Sequence, residues 1–151
     1  QKTGIAGIVN SAPPPDALEN VLSTINEIRT HNETLITVAG AGGNRDADKR
    51  PKMAAAAVKL SDRLIITSDN PRFEDPEEII RQMKAGVEGQ YYNKVLCITD
   101  RREAIRTAVA LAKKGDIILG AGKGHENYQD VQGVKHHFDD REELEKAFNG
   151  K

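Results

Sequence analysis

One cysteine, Cys97, stands in 151 residues, which excludes an internal disulfide framework and suits a reducing compartment. It lies in the apolar run Val95-Leu96-Cys97-Ile98, where a thiol is expected to behave as a small buried hydrophobe. Charge of one sign is lacking too: 22 Lys and Arg face 23 Asp and Glu, so bulk electrostatics favours neither nucleic acid nor an anionic membrane. No apolar run approaches the ~18 residues of a membrane helix. The first residues, Gln1-Lys2-Thr3-Gly4, lack the basic-then-apolar form of a signal peptide. A soluble, cytoplasmic protein is expected. The absence of an initiating Met, with a strand-like run following at once, suggests a piece of a longer protein. There is no repeat, linker or low-complexity stretch, so one domain over residues 1–151 suffices.

What is present alternates. Residues 5–9 are apolar and β-branched, and Pro13-Pro14-Pro15-Asp16 breaks the chain before Ala17-Leu18, Val21-Leu22 and Ile25 recur at helical spacing. A strand at 34–39 runs into Gly40-Ala41-Gly42-Gly43, and a helix is predicted from about Pro51. A strand at 63–67, a helix from Pro76 to about Val87 and a strand at 94–99 follow. Asp100 is placed to cap a helix whose stripe is Ala104, Ile105, Ala108, Val109 and Leu111. Ile117-Ile118-Leu119 enters a second glycine loop, residues 128–138 read as a hairpin around Gln132-Gly133, and a helix closes the chain from Asp140 to about Phe148. This order predicts an α/β, three-layer, Rossmann-like domain. Its sheet is mostly parallel with helices on both faces, and the hairpin is expected to add a small antiparallel edge.

In such a sheet the ligand crevice lies beyond the carboxyl ends of the strands. Three loops open there, after residues 39, 66 and 119. The middle one, Thr67-Ser68-Asp69-Asn70-Pro71-Arg72, carries a carboxylate for an ammonium, a guanidinium for a carboxylate, and an amide for either. Alone it reads more readily as a surface turn, since Asn-Pro initiates turns. Arg45 and Glu126 on the flanking loops can converge on it. Neither glycine loop is a phosphate cradle: Arg45-Asp46 follows the first, and no hydroxyl residue follows Lys123 in the second. His125, alone in a polar loop, is assigned no role. His136 and His137 alternate on a strand and face opposite ways, against a shared metal. The run Asp139-Asp140-Arg141-Glu142-Glu143 is read as a helix start with acids at the positive end of its dipole.

Together, Gly42-Gly43-Asn44-Arg45-Asp46 with Lys49-Arg50-Pro51, Asp69-Asn70-Pro71-Arg72, and Gly122-Lys123-Gly124-His125-Glu126 resemble the carboxy-terminal domain of the Mur ligase family, in particular its diaminopimelate-adding members. The resemblance covers essentially the whole chain, in order. It implies an ATP-dependent amide ligase of peptidoglycan synthesis, in which ATP phosphorylates the carboxylate of UDP-N-acetylmuramoyl-L-alanyl-D-glutamate and the amine of meso-diaminopimelate attacks the acyl phosphate. Carried onto matching positions, Arg45, Asp69, Asn70, Pro71, Arg72, Gly122 and Glu126 would form the diaminopimelate pocket, and Asn44, Asn10 and Asp16 would touch ATP. No residue of this domain is implied to be catalytic. ATP and Mg2+ would be held mainly by a central domain, with an amino-terminal domain for the uridine nucleotide, neither of which this chain contains. The family's Asp-Tyr-Ala-His-Thr-Pro-Asp loop reads here Asn10-Ser11-Ala12-Pro13-Pro14-Pro15-Asp16, without its first acid and its histidine. A relative that adds another amino acid, or a binding module without ligase activity, are the alternatives.

Overall fold

A computed structural model describes residues 3–10, 15–122 and 126–151, with the side chains of Pro15 and Asp16 left aside. Strands β1 (Ala6–Asn10), β2 (Leu35–Ala39), β3 (Arg63–Ile66), β4 (Val95–Cys97) and β5 (Ile117–Ala121) form one parallel sheet in the order β1-β5-β2-β3-β4. Helices α1 (Pro15–Ile28), α2 (Lys49–Leu60) and α3 (Pro76–Lys84) cover one face, where Leu22, Leu35, Ala57, Leu64, Ile66, Met83 and Leu119 share a core. Helices α4 (Arg101–Leu111) and α5 (Asp140–Asn149) cover the other, around Ile36, Val38, Ile65, Ala108, Ile118, Leu144 and Phe148. Near-continuous apolar strands fit a sheet buried on both sides. The three-layer arrangement expected from the alternation of elements is present.

Register decides where the loops emerge. Ala121 pairs with Asn10 on one side and Ala39 on the other, Ala39 with Ile66, and Ile66 with Cys97. The strands therefore end level, and Gly40, Thr67 and Gly122 leave the sheet side by side. Cap chemistry sets the helix starts: Asp75, Asp100 and Asp139 accept hydrogen bonds from the first-turn N–H groups of α3, α4 and α5.

Two expectations fail. The hairpin of β6 (Tyr128–Val131) and β7 (Val134–His137) is antiparallel, but it stands as its own sheet instead of extending an edge. The reason is topological: β5 lies inside the sheet, so the chain leaving it rises over the carboxyl ends of the strands. Cys97 is exposed, because β4 is a three-residue edge strand; partial desolvation nonetheless lifts its thiol above the usual range. Element ends also move: α2 begins at Lys49, α3 stops at Lys84, and a 3-10 turn, Gly89–Lys94, precedes β4.

Candidate functional site

The loop after β3 is buried, unlike a surface turn: Thr67 is 0%, Asp69 8% and Asn70 1% exposed. It starts as a continuation of the strand, with Thr67 N–H donating to the Ala39 carbonyl (2.9 Å) and Ser68 N–H to the Thr99 carbonyl (3.3 Å). The glycine loop then docks on one side of it and the hairpin on the other. Gly43 N–H donates to the Asn70 carbonyl at 2.7 Å, and a Cβ on Gly43 would overlap the Pro71 carbonyl, so only glycine permits this approach. From the hairpin, Asp130 N–H donates to Asn70 Oδ1 (2.8 Å) and Gln129 Nε2 to the Asp69 carbonyl (2.7 Å). Arg72 takes a left-handed backbone, φ 54°, held by its N–H to the Asp130 carbonyl (2.9 Å) and by Gln132 N–H to its own carbonyl (2.6 Å).

The charged side chains divide into two ends. At one, Arg72 Nη1 and Arg45 Cγ lie 2.9 Å and 3.3 Å from where a Cβ on Gly42 would be, so both side chains run over this glycine. Arg72 Nη1 donates to the Gly43 carbonyl at 2.9 Å. Neither Arg45 nor Arg72 has a carboxylate partner among the described residues. At the other end, Gly122 has φ 103°, and a Cβ there would stand 2.9 Å from the Gly40 carbonyl and 4.0 Å from Asp69 Oδ2. Glu126 joins the site through Asn70: its Oε1 accepts from Asn70 Nδ2 (3.0 Å) and its Oε2 from the Tyr128 hydroxyl (3.3 Å). Asn70 thus joins Glu126 to the loop after β3, and Pro71 is buried beneath Gly43.

Two buried arginines hold this arrangement: Arg50, which the sequence offers as part of a motif but without a role, and Arg101, which the sequence reading did not single out. Arg50, 2% exposed, donates to both oxygens of Glu74 (3.0 and 2.8 Å), to Gln82 Oε1 (2.8 Å) and to the Gly42 carbonyl (3.0 Å). Glu74 also accepts from Asn44 N–H, and these bonds, Arg50's first, hold its carboxyl below the usual glutamate range. Arg101, 1% exposed, pairs with Asp140. Burial opposes its charge, but Asp140, and beyond it Asp69 and Glu126, keep it above the ordinary arginine range.

Of the residues implied for ATP, Asn44 and Asn10 lie on the exits of different strands. Asn44 Oδ1 accepts from Phe73 N–H at 3.2 Å, bracing the arginine loop. Asn10 ends β1, and β5 separates it from β2, whose loop carries Asn44; its carbonyl accepts from Gly122 N–H at 3.3 Å. The side chain of Asp16, residues 11–14, and Lys123, Gly124 and His125 fall outside the described residues. Among the described residues no group of three His, Cys, Asp or Glu can hold a metal ion, and no helix is long and apolar enough to cross a membrane.

The family profile described as "Mur ligase, glutamate ligase domain" matches residues 1–124. The chain belongs to this Mur ligase family. It is 60% identical over 146 residues to UDP-N-acetylmuramoyl-L-alanyl-D-glutamate--2,6-diaminopimelate ligase of Bacteroides thetaiotaomicron, covering 97% of this chain and 30% of that protein. It is 47% identical over 143 residues to the Aquifex aeolicus protein of the same name, covering 95% and 29%. A solved structure of a protein so named superposes with TM-score 0.89 at 44% identity, over 97% of this chain and 30% of the other. A murein peptide ligase from Psychrobacter arcticus, at 15% identity and TM-score 0.67 over 99% of this chain and 28% of its own, shares the fold. The chain thus spans about 30% of the length of the relatives it matches. The structure gives the motif residue Arg50 its partners, and adds to the motifs Arg101 and the hairpin clamp.

Proposed function

We propose that this chain is the amine-substrate domain of a longer ATP-dependent ligase that adds meso-diaminopimelate to UDP-N-acetylmuramoyl-L-alanyl-D-glutamate in cytoplasmic peptidoglycan synthesis. The observation that carries this reading is the dipolar site: Arg45 and Arg72, without carboxylate partners among the described residues, over Gly42 at one end, and Asp69 beside Gly122, with Glu126 joined through Asn70, at the other. Diaminopimelate carries two ammonium and two carboxylate groups and matches both ends. Lysine, lacking the second carboxylate, would leave a guanidinium unsatisfied.

The role of these residues is to bind and orient. Asp69 and Glu126 take the ammonium end, and Arg45 and Arg72 fork a carboxylate. The amine is thereby presented to an acyl phosphate formed elsewhere, which lowers the entropic cost of the attack. The sequence holds no Gly-Lys-Ser/Thr cradle and the described residues no cation cluster, so ATP and Mg2+ would be held mainly outside this domain. Both are assigned, with the UDP-linked substrate, to the remainder of the longer protein. The test is amine-dependent release of phosphate from ATP by the full-length protein with its UDP-linked dipeptide, given diaminopimelate, lysine, alanine or glutamate in turn. Product of tripeptide mass with diaminopimelate supports the reading, and preferential use of another amine defeats it.

A further inference from the structure

Arg101 is 1% exposed and reaches the backbone of two of the site's loops. Its guanidinium donates from Nη1 to the Ser68 carbonyl (2.9 Å), from Nη2 to the Ala121 carbonyl (3.2 Å), and through Nε and Nη2 to the two oxygens of Asp140 (2.8 and 2.7 Å). Those carbonyls immediately precede Asp69 and Gly122, the residues that form the ammonium end. One planar fork therefore spans the exits of β3 and β5, although β2 lies between them in the sheet. Asp140 in turn sits against Gly120, whose Cβ would stand 3.4 Å from Oδ2.

Stability alone gives a poor reason for this pair. A fully buried ion pair is commonly matched or bettered by apolar side chains of similar volume. Arg101 also begins α4, where the helix dipole opposes a cation. What an apolar residue cannot do is accept the geometry of two carbonyls at once, and what lysine cannot do is hold both at a fixed separation while pairing with a carboxylate.

We propose that Arg101, held by Asp140, is a positioning residue that fixes Asp69 relative to Gly122 and Glu126 and so sets the enzyme's affinity for its amine substrate. The inference rests on the amine-binding reading of this site.

The experiment compares the full-length wild type with Arg101→Lys and with the apolar double variant Arg101→Met/Asp140→Leu, which leaves no buried unpaired charge. Each is assayed for thermal unfolding, for kcat, and for KM of ATP and of whichever of diaminopimelate and lysine the wild type consumes. The expected result is a folded double variant whose amine KM rises roughly 10-fold or more while kcat and the KM of ATP stay near wild type. Arg101→Lys should show the same split. An unchanged amine KM in a folded double variant overturns the proposal, as does an equal loss in every kinetic constant, or failure of both variants to fold. A wild type that consumes lysine instead of diaminopimelate defeats the substrate assignment while leaving the Arg101 shift to be read on lysine; one that consumes neither defeats both.

Discussion

Replacing Glu74 with alanine withdraws both oxygens that Arg50 grips and the acceptor of Asn44 N–H, leaving a guanidinium that is 2% exposed with Gln82 and the Gly42 carbonyl as its acceptors among the described residues. Removing one partner of a fully buried pair costs about 3–5 kcal/mol. Glu74 is 34% exposed, so water can reach the vacated site, and about 2 kcal/mol is the better expectation. For a domain of this size that is a fall of roughly 4–8 °C in Tm, read by thermal unfolding of the 151-residue chain at pH 7. The pH dependence has a definite sign. Glu74 titrates below its ordinary 4.5 in the folded chain, so its contribution is full above that pH and is lost as pH falls through the lowered folded value. Glu74→Gln should therefore differ from wild type at pH 7 and converge with it in strong acid. A Tm change under about 1 °C at pH 7, or a gap of equal size once the carboxylate is protonated, would refute the reasoning.

Gly43→Ala should unseat the glycine loop from the arginine loop, since the added methyl meets the Pro71 carbonyl; thermal unfolding should show destabilisation, and an unaltered Tm would contradict the geometry. The isolated chain should neither hydrolyse ATP nor form an amide bond, having no Gly-Lys-Ser/Thr sequence; turnover that survives repeated purification would count against this. In the full-length protein, Asn10→Asp with Pro13→His should tighten ATP, because a carboxylate replaces an uncharged carboxamide and an imidazole replaces a ring with neither donor nor proton. Unchanged affinity by calorimetry would remove Asn10 and Pro13 from any nucleotide role.

The strand and helix order was readable because each buried strand is a short apolar run, α1, α3 and α4 carry apolar stripes, and Pro51 with its run of alanines marks α2. The three loops were readable as one site because parallel strands end together. Less visible was the support beneath them, although a trace of it was present. In α2 the buried set is Arg50, Met53, Ala54, Ala57 and Val58; in α4 it is Arg101, Ala104, Ile105, Ala108 and Val109; in α5 it is Asp140, Glu143, Leu144 and Phe148. A charged residue opens each apolar stripe, at the helix end nearest the site. Periodicity marks such a residue as inward, but its partners are long-range: Arg50 to Glu74, Arg101 to Asp140. Asp140 was read as a helix-start acid for that reason, since local rules supply a reason for the charge that leaves no need of a distant partner. The hairpin was misplaced on similar grounds: its turn, Gln132 at φ 52° and Gly133 at φ 83°, is local and legible, while its seat on Asn70 and Arg72 depends on β5 being an interior strand.

The proposed amine specificity turns on Arg72 reading the second carboxylate of diaminopimelate. The decisive measurement is the KM of the full-length protein for diaminopimelate and for lysine, in wild type, Arg72→Ala and Arg72→Lys. Loss of a charge-assisted fork in a half-buried site should cost on the order of 2–4 kcal/mol toward diaminopimelate, with Arg72→Lys recovering part. Lysine, which has no second carboxylate to lose, should be nearly indifferent. Equal losses for both amines, or none for diaminopimelate, would contradict the assignment.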